Sequence, residues 1–206
     1  PLEPEKPDIR MFMDSRYVRP MLKTYDAYSR RAAEETGELA HESVYKGGHI
    51  NYLAGLMASL YAARKIELAE QIFTYIKDRY QMSGEEWDLP LRDFIAYRLN
   101  RQGRPIRDYA LGLIGPAVRT AWIMRLRGDD DGYRDSVRFA RDTVYRKYQQ
   151  GSNERYELPP WTELLRDELA TMLVAPKSVG YDLSLRDRAR LYNDPDVRPL
   201  RKMIYD

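Results

Sequence analysis

The chain has 206 residues, of which 43% are hydrophobic and 32% charged, with a formal net charge of +2 at pH 7. This length suits one large domain or two small ones, and a net charge near zero provides no overall field to attract nucleic acid. Cysteine is absent, which excludes disulfides, zinc-thiolate sites and a cysteine nucleophile.

The first 33 residues predict an extended arm followed by a helix. Prolines at positions 1, 4 and 7 indicate an arm over residues 1–13, and Asp14 or Ser15 is expected to cap a helix running to about Ala33. Because the sequence starts at Pro1 and lacks an initiator Met, we expect it to be part of a longer protein. It shows no signal peptide or lipidation motif. The compartment is left open.

The stretch 49–80 predicts a helical hairpin. Before it, residues 34–48 predict a connection with a short helix near 39–45 and a break at Gly47–Gly48. Apolar residues then recur at i, i+3, i+4 and i+7 over 49–63 and again over 66–80, on either side of a polar break at Arg64–Lys65. That spacing is typical of amphipathic helices.

Further helices are expected over about 90–102, 105–127, 133–149, 161–175 and 184–192, with a final turn over 195–204. Between two of them, residues 128–132 predict a turn capped by aspartate, and Ser184 with Asp187 predicts a capping box. No segment alternates with the period of a strand. The prediction is an all-α fold of seven or eight helices in irregular antiparallel hairpins, either an α-solenoid fragment or a helical bundle. Residues 14–206 are predicted to form one domain, with a candidate subdivision near 151–160.

The apolar run from Tyr109 to Leu126 approaches the length of a membrane-spanning helix, about 18 residues. Arg119 and Arg125 fall inside it, and a central arginine costs roughly 2.5 kcal/mol or more in a bilayer. We therefore expect no membrane span here, but a helix buried on most sides at the centre of the domain.

Residues 49–82 resemble one tetratricopeptide repeat, a period of about 34 residues. The resemblance rests on Ala69 and Phe73 in the second helix and on three leucines in the first, which are Leu53, Leu56 and Leu60. Met57, Arg64 and Gln81 stand where the family has a small residue, a turn glycine and a closing proline. The run YVRPMLKTYDAY also resembles segments of large uncharacterised bacterial proteins with repeat-like helices, a resemblance that implies no chemistry.

The tetratricopeptide resemblance implies a groove lined by the first helix of each hairpin, which binds a protein partner. Carried onto this chain, the groove positions are Asn51, Ala54, Ala58, Tyr61 and Ala62. The family's carboxylate-binding version has Lys and Asn at two of them, where this chain has Ala54 and Ala58. In a second hairpin over 107–149 the equivalent surface carries Val118, Trp122 and Arg125. The predicted partner-binding residues are Asn51, Tyr61, Trp122 and Arg125, with a core role for Trp122 as the alternative.

No pattern in the sequence points to catalysis, a cofactor or a metal. His41 and His49 do not have the i, i+4 spacing of a zinc protease, and both are expected to be ordinary connector residues. Three consecutive aspartates, Asp129–Asp131, lack the alternate spacing of a calcium loop and predict a capping turn. No G-x-S-x-G or phosphate-binding glycine loop is present.

Arginines at helical spacing raise nucleic-acid binding as an alternative. The two sets are Arg98, Arg101, Arg104 and Arg107, and Arg134, Arg138 and Arg141. Aspartates interleave both sets, which favours ion pairing along a solvated helix face. The sequence therefore predicts a non-catalytic module for protein–protein interaction, with an arginine-rich nucleic-acid-binding domain as the alternative.

Overall fold

The computed structural model describes residues 18–36, 39–101, 107–151, 157–174 and 183–205. Within these ranges the chain consists of helices and their connections, with no strand. The predicted all-α class is confirmed. The predicted N-terminal arm, residues 1–13, lies outside the described residues.

The chain divides into two compact units, Pro1–Leu56 and Met57–Asp206. The first contains α1 (Val18–Thr36) and the beginning of α2 (Leu39–Ala62), whose last turns belong to the second. The expectation of a single domain from residue 14 stays a prediction.

Helix α2 continues through Gly47 and Gly48, so the predicted break there is wrong. Glycine in a helix interior is less favourable than alanine by about 1 kcal/mol, but it does not prevent the hydrogen-bonding pattern. The rest of α2 buries seven apolar residues together with His49; the apolar residues are Leu53, Ala54, Leu56, Met57, Ala58, Leu60 and Ala62. Their burial outweighs the local preference of two glycines.

The second unit contains the remaining helices. They are α3 (Ile66–Tyr80), α4 (Leu91–Arg101), α5 (Arg107–Arg127), α6 (Asp130–Arg138), α7 (Arg146–Gly151), α8 (Trp161–Val174), α9 (Leu185–Tyr192) and α10 (Arg201–Tyr205), with short 3-10 turns at Glu85–Asp88 and Arg198–Leu200. The predicted helices over 66–80, 105–127 and 161–175 are confirmed to within two residues over the described ranges. Helix α6 begins three residues before the predicted start, because Asp129 rather than a later residue caps it.

A π-helical segment, Phe139–Tyr145, joins α6 to α7 into one continuous helix. Counted in this way, the described residues form nine helices, one or two more than predicted. Its buried residues are Phe139, Ala140, Thr143 and Val144. The wider π turn was not predicted, because the apolar spacing over 133–149 fits an ordinary helix equally well.

Helix α5 lies at the centre of the second unit. It packs against α6, the π segment, α8 and α9, and its buried residues occupy most of its circumference: Ala110, Leu113, Ile114, Gly115, Ala117, Val118, Arg119, Ala121 and Trp122. Pro116 lies inside the helix without ending it. The central position predicted for this run agrees with the structure.

An aromatic cluster fixes the 3-10 turn against α3 and α4. The Phe73, Trp87 and Phe94 rings lie 4.6–5.7 Å apart between centroids, and the Lys77 ammonium donates a 2.7 Å hydrogen bond to the Trp87 carbonyl. Ring pairs at these distances contribute beyond their buried area. The turn therefore forms although its sequence, EEWD, carries no helical period.

Two predicted helix caps are confirmed. The Asp129 carboxylate accepts a 2.8 Å hydrogen bond from the Gly132 amide at the start of α6. The Ser184 hydroxyl oxygen accepts a 3.1 Å bond from the Asp187 amide and donates to the Asp187 carboxylate at 2.7 Å. Among the described helices, none is both long and apolar enough to cross a membrane.

Candidate functional site

A cleft of about 230 Å³ lies in the second unit beside Tyr61, and we call it the Tyr61 cleft. It brings together residues of α2, α3, α4, α6 and the π segment. The lining residues are Tyr61, Ala62, Arg64, Ile66, Arg92, Asp135, Ser136 and Phe139. One wall is apolar, and the other carries two arginines, one carboxylate and one hydroxyl.

The apolar wall is built on a contact between two rings. The half-buried Tyr61 ring lies 5.0 Å from the Phe139 ring, tilted by 54°, within the range of favourable aromatic pairs. Phe139 is the first residue of the π segment and is buried. The pair therefore fixes the last turn of α2 against the π segment.

Arg64 is held in the cleft by an unusual helix end. Its φ is +56°, and the Lys65 and Arg64 amides donate to the Leu60 and Tyr61 carbonyls. These are the two hydrogen bonds of a Schellman motif, whose left-handed residue is usually glycine. Its guanidinium Nη1 lies 3.3 Å from the Asp135 carboxylate.

Arg92 is oriented by the π segment. Its Nε and Nη2 both donate to the Thr143 hydroxyl, at 3.2 and 3.1 Å. Thr143 is buried within that segment, so the guanidinium is fixed on one side by a rigid acceptor. The third nitrogen, Nη1, makes no hydrogen bond to a described residue.

Ser136 contributes a buried hydroxyl to the same cleft. The residue is 3% exposed, and its Oγ has no hydrogen-bond partner among the described residues. A buried polar group without a partner costs about 1–3 kcal/mol. A ligand group that enters the cleft can supply the missing hydrogen bond.

The Tyr61 hydroxyl is a donor at neutral pH. Burial raises the pKa of this phenol above its ordinary value of 10.0, with Asp135 and Asp93 acting in the same direction and Arg92 and Arg64 opposing them. The phenol is therefore protonated at neutral pH. It makes no hydrogen bond to a described residue.

A second, more polar cleft of about 350 Å³ adjoins the first and shares Arg64 and Asp135 with it. Its lining residues are Arg64, Asp129, Asp131, Gly132, Arg134, Asp135 and Arg138. The Asp129 carboxylate is already used as the cap of α6, and Arg134 pairs with Asp131 at 2.7 Å on the exposed surface. This cleft is balanced in charge and forms a wet rim to the Tyr61 cleft.

The structure places Asn51 and Tyr61, two of the four predicted partner-binding residues, at different levels of exposure. Asn51 is exposed on the part of α2 that belongs to the first unit, whereas Tyr61 is half-buried and lines the cleft. The groove position Ala54 is buried, as are Ala58 and Ala62. Of the predicted groove, only Tyr61 contributes a large accessible side chain in the second unit.

Trp122 belongs to the core and not to an accessible surface. Its residue is 3% exposed, and its ring lies 5.5 Å from that of Tyr133. It lines a separate small cavity of about 70 Å³ with Val118, Asp196 and Leu200. The surface expected around Trp122 is therefore corrected: α6 and the C-terminal turn cover the indole.

Arg125 is engaged within the chain. Its guanidinium donates to the Asp130 carboxylate and, at 3.1 Å, to Asp194, and it lies 3.7 Å from Asp196. The hydrogen bond to Asp130, followed by that to Asp194, raises the Arg125 pKa. The residue thus attaches the C-terminal turn to α5, and only 28% of its side chain is exposed.

The other candidates from the sequence also have structural roles. His49 was expected to be a connector residue, and this is wrong: it lies buried inside α2. Arg141 and Arg146 both pair with Asp142, at 3.0 and 3.1 Å. The predicted ion pairing along this helix face is confirmed for these residues. Among the described residues, no group of three side chains could hold a metal ion.

Six residues that line the Tyr61 cleft were not predicted as site residues from the sequence, namely Arg64, Ile66, Arg92, Asp135, Ser136 and Phe139. For Arg64 the sequence did contain an indication, since it occupies the turn-glycine position of the repeat that 49–82 resembles. For the other five it contained none, because only the fold brings them beside Tyr61.

Searches against known protein families, curated proteins and solved structures give no match. The class that the fold defines is that of an all-α protein. The resemblance of 49–82 to a tetratricopeptide repeat stays a prediction.

Proposed function

We propose that this chain is a non-catalytic protein–protein interaction module, and that the Tyr61 cleft is part of the surface that contacts the partner. The observation that carries the proposal is the meeting of a half-buried tyrosine with two arginines whose guanidinium nitrogens are only partly used. Tyrosine and arginine are the residue types that dominate interface energetics when a partner covers them.

The shape and composition of the cleft support a protein partner. Its apolar wall offers area for a partner side chain, and the adjoining polar cleft provides a rim. Interfaces have this arrangement of an apolar centre and a polar, accessible rim.

The alternative, nucleic-acid binding, has less support from the arginines. Arg125, Arg134, Arg141 and Arg146, which lie outside the Tyr61 cleft, each pair with an aspartate. Carboxylates beside the cations reduce their attraction for phosphates.

The first test of the proposal is whether the chain captures a specific protein partner. The full chain would be used to capture and identify partners from its native source, and each identified partner would be purified and its affinity measured. We expect Tyr61→Ala to weaken the complex by more than about 1 kcal/mol. Tyr28→Ala is the matched control, because that tyrosine is 73% exposed in α1 and should leave the affinity unchanged.

Tyr61→Phe separates the ring from the hydroxyl and keeps the contact with Phe139. A purified partner whose affinity is the same for wild type, Tyr61→Ala and Tyr28→Ala would contradict this placement of the interface. The salt dependence tests the alternative, because phosphate-driven binding falls steeply with salt. Specific nucleic-acid binding without a protein partner, or turnover of a substrate, would contradict the function itself.

A further inference from the structure

The further inference concerns which chemical group of a partner enters the Tyr61 cleft, and it rests on the proposed function. It starts from the backbone at Arg64. Helix α5 ends in the same motif as α2, with the Gly128 and Asp129 amides donating to the Arg125 and Met124 carbonyls. There the left-handed residue is Gly128, with φ +78°. Glycine is the residue that adopts this conformation without strain.

At the end of α2 the chain keeps arginine instead. A side chain in the left-handed region is strained by roughly 1–2 kcal/mol. Strained backbone residues cluster at binding and active sites, where the side chain is needed. The Arg64 and Asp135 side chains are 32% and 53% exposed, and ion pairs that water reaches contribute little to stability. The Arg64 guanidinium therefore adds little to the stability of the fold. Stability does not account for an arginine at this left-handed position, whereas a binding role in the cleft does.

The cleft has more donors than acceptors. Arg64 uses Nη1 alone, Arg92 uses Nε and Nη2, and the Tyr61 and Ser136 hydroxyls make no hydrogen bond to a described residue. The acceptor opposite them is Asp135, which is already paired with Arg64. Unused donors thus remain on four side chains that line one space, and they match a ligand rich in acceptor atoms.

The π segment supports the same conclusion independently. π turns inside helices occur often at functional sites, and this one supplies both Phe139 in the apolar wall and Thr143, which orients Arg92. The Arg92 guanidinium therefore has a fixed direction. A planar guanidinium that is already oriented is well suited to bind a carboxylate.

We propose that the Tyr61 cleft binds the carboxylate of an aspartate or glutamate side chain of a protein partner, with Arg64 and Arg92 as its cationic contacts. The neighbouring apolar side chain of the partner packs against Phe139 and Ile66. The Tyr61 and Ser136 hydroxyls supply neutral hydrogen bonds. The cleft would therefore prefer a partner segment in which an acidic side chain is next to an apolar one.

The probes are two blocked dipeptides, N-acetyl-Leu-Glu-amide and N-acetyl-Leu-Gln-amide, titrated into the full chain and followed by NMR of the backbone amides and the arginine Nε–H groups. They differ only in the carboxylate. We expect the glutamate peptide to bind at least about tenfold more tightly than the glutamine peptide, with shifts confined to residues lining the cleft. Equal binding of the two peptides would overturn the inference.

Arg64→Gly and Gln81→Gly form a matched pair of variants. Gln81 is the other left-handed, non-glycine residue at a described helix end, with φ +46°, and it does not line the cleft. Both changes relieve the same backbone strain, so neither is expected to unfold the protein. We expect Arg64→Gly to abolish the preference for glutamate and Gln81→Gly to keep it. Retention of the preference in Arg64→Gly would overturn the role of Arg64.

Inorganic phosphate is the third probe. If phosphate displaces the glutamate peptide at comparable concentration, the cleft is a general oxyanion site and the selection of a carboxylate is wrong. This outcome is distinct from failure of the proposed function. If a purified partner loses affinity on Tyr61→Ala but the two dipeptides bind equally, the proposed interaction surface is supported. Only the proposal that the cleft binds an acidic side chain is then rejected.

Discussion

The Arg119 guanidinium donates a 2.7 Å hydrogen bond to the Glu168 carboxylate, and the two side chains are only 6% and 5% exposed. The pair joins the central helix α5 to α8 inside the core. Removing water from two charges is costly unless each is satisfied by its partner. Each side chain therefore supplies the counterion that the other needs at this contact between α5 and α8.

Replacing Glu168 by alanine is expected to lower the free energy of unfolding by about 3–5 kcal/mol, because it leaves the Arg119 charge buried without its counterion. Denaturant unfolding followed by circular dichroism measures the loss. Glu163→Ala is the control, since Glu163 lies on α8 without an ion pair to a described residue, and a change within about 0.5 kcal/mol is expected. The double change Arg119→Met with Glu168→Leu should be less damaging than Glu168→Ala alone. Equal losses for Glu168→Ala and Glu163→Ala would show that the pair contributes nothing.

Trp122→Ala is expected to destabilise the fold by about 3–5 kcal/mol, as the loss of a buried aromatic ring does. The same change should not alter partner affinity under conditions where the variant remains folded. Thermal unfolding and a binding titration well below the melting temperature check the two statements. Leu185→Ala, at a residue 86% exposed, is the control for stability. If Trp122→Ala were as stable as the wild type but bound the partner more weakly, Trp122 would be an interface residue and not a core residue.

Two glycines of the α5 region are expected to respond in opposite directions to alanine. Gly128 has φ +78°, so Gly128→Ala should destabilise by about 1 kcal/mol or more. Gly112 lies exposed inside α5, and the space that an alanine methyl group would occupy is open. Gly112→Ala should therefore stabilise by about 0.5–1 kcal/mol. Melting temperatures compared in one buffer give the signs. Stabilisation by Gly128→Ala would contradict the left-handed helix end.

Tyr133 is expected to be among the last tyrosines to ionise. Burial, followed by the charge of Asp196 and a hydrogen bond to it, raises its pKa from 10.0 to about 12. A pKa raised on folding means that the protonated phenol stabilises the native state below pH 10, and that this contribution is lost as the pH rises from 10 to about 12. Ultraviolet titration of the phenolate measures the step. Tyr133→Phe should remove the part of the titration curve near pH 12. If the high-pH part of the curve is unchanged, Tyr133 ionises together with the exposed tyrosines.

Local patterns were enough to predict most of the helices. The apolar spacing over 66–80 predicted α3 at its observed bounds. Ser184 and the aspartates of 128–132 predicted caps that the structure contains, because capping depends on residues within one turn. The prediction of a helix break at Gly47–Gly48 was wrong because burial elsewhere in the helix overrode a local preference. A local preference of about 1 kcal/mol per glycine is smaller than the stabilisation from burying the residues that follow it.

The candidate site was predicted less well than the helices. Tyr61 was singled out from the sequence and lines a cleft. Trp122 was assigned to a surface, with the core as the alternative, and it lies in the core. Both lie on helices with apolar spacing, and that spacing shows which side of a helix is buried but not how completely another element covers it. The C-terminal turn that helps to cover Trp122 is about 75 residues further along the chain.

The sequence by itself determined the all-α class, the apolar character of α5 and the positions of most helix ends, because each depends on residues within a few positions of one another. Only the tertiary structure decided that Arg119 meets Glu168, that Arg125 meets Asp194, and that Arg64 and Arg92 share a cleft with Ser136. These pairs are separated by tens of residues, and periodicity carries no information about which distant side chains meet. These contacts are set by how the helices of the second unit pack together. The proposed function depends on one of them, the cleft that Arg64 and Arg92 share with Tyr61 and Ser136.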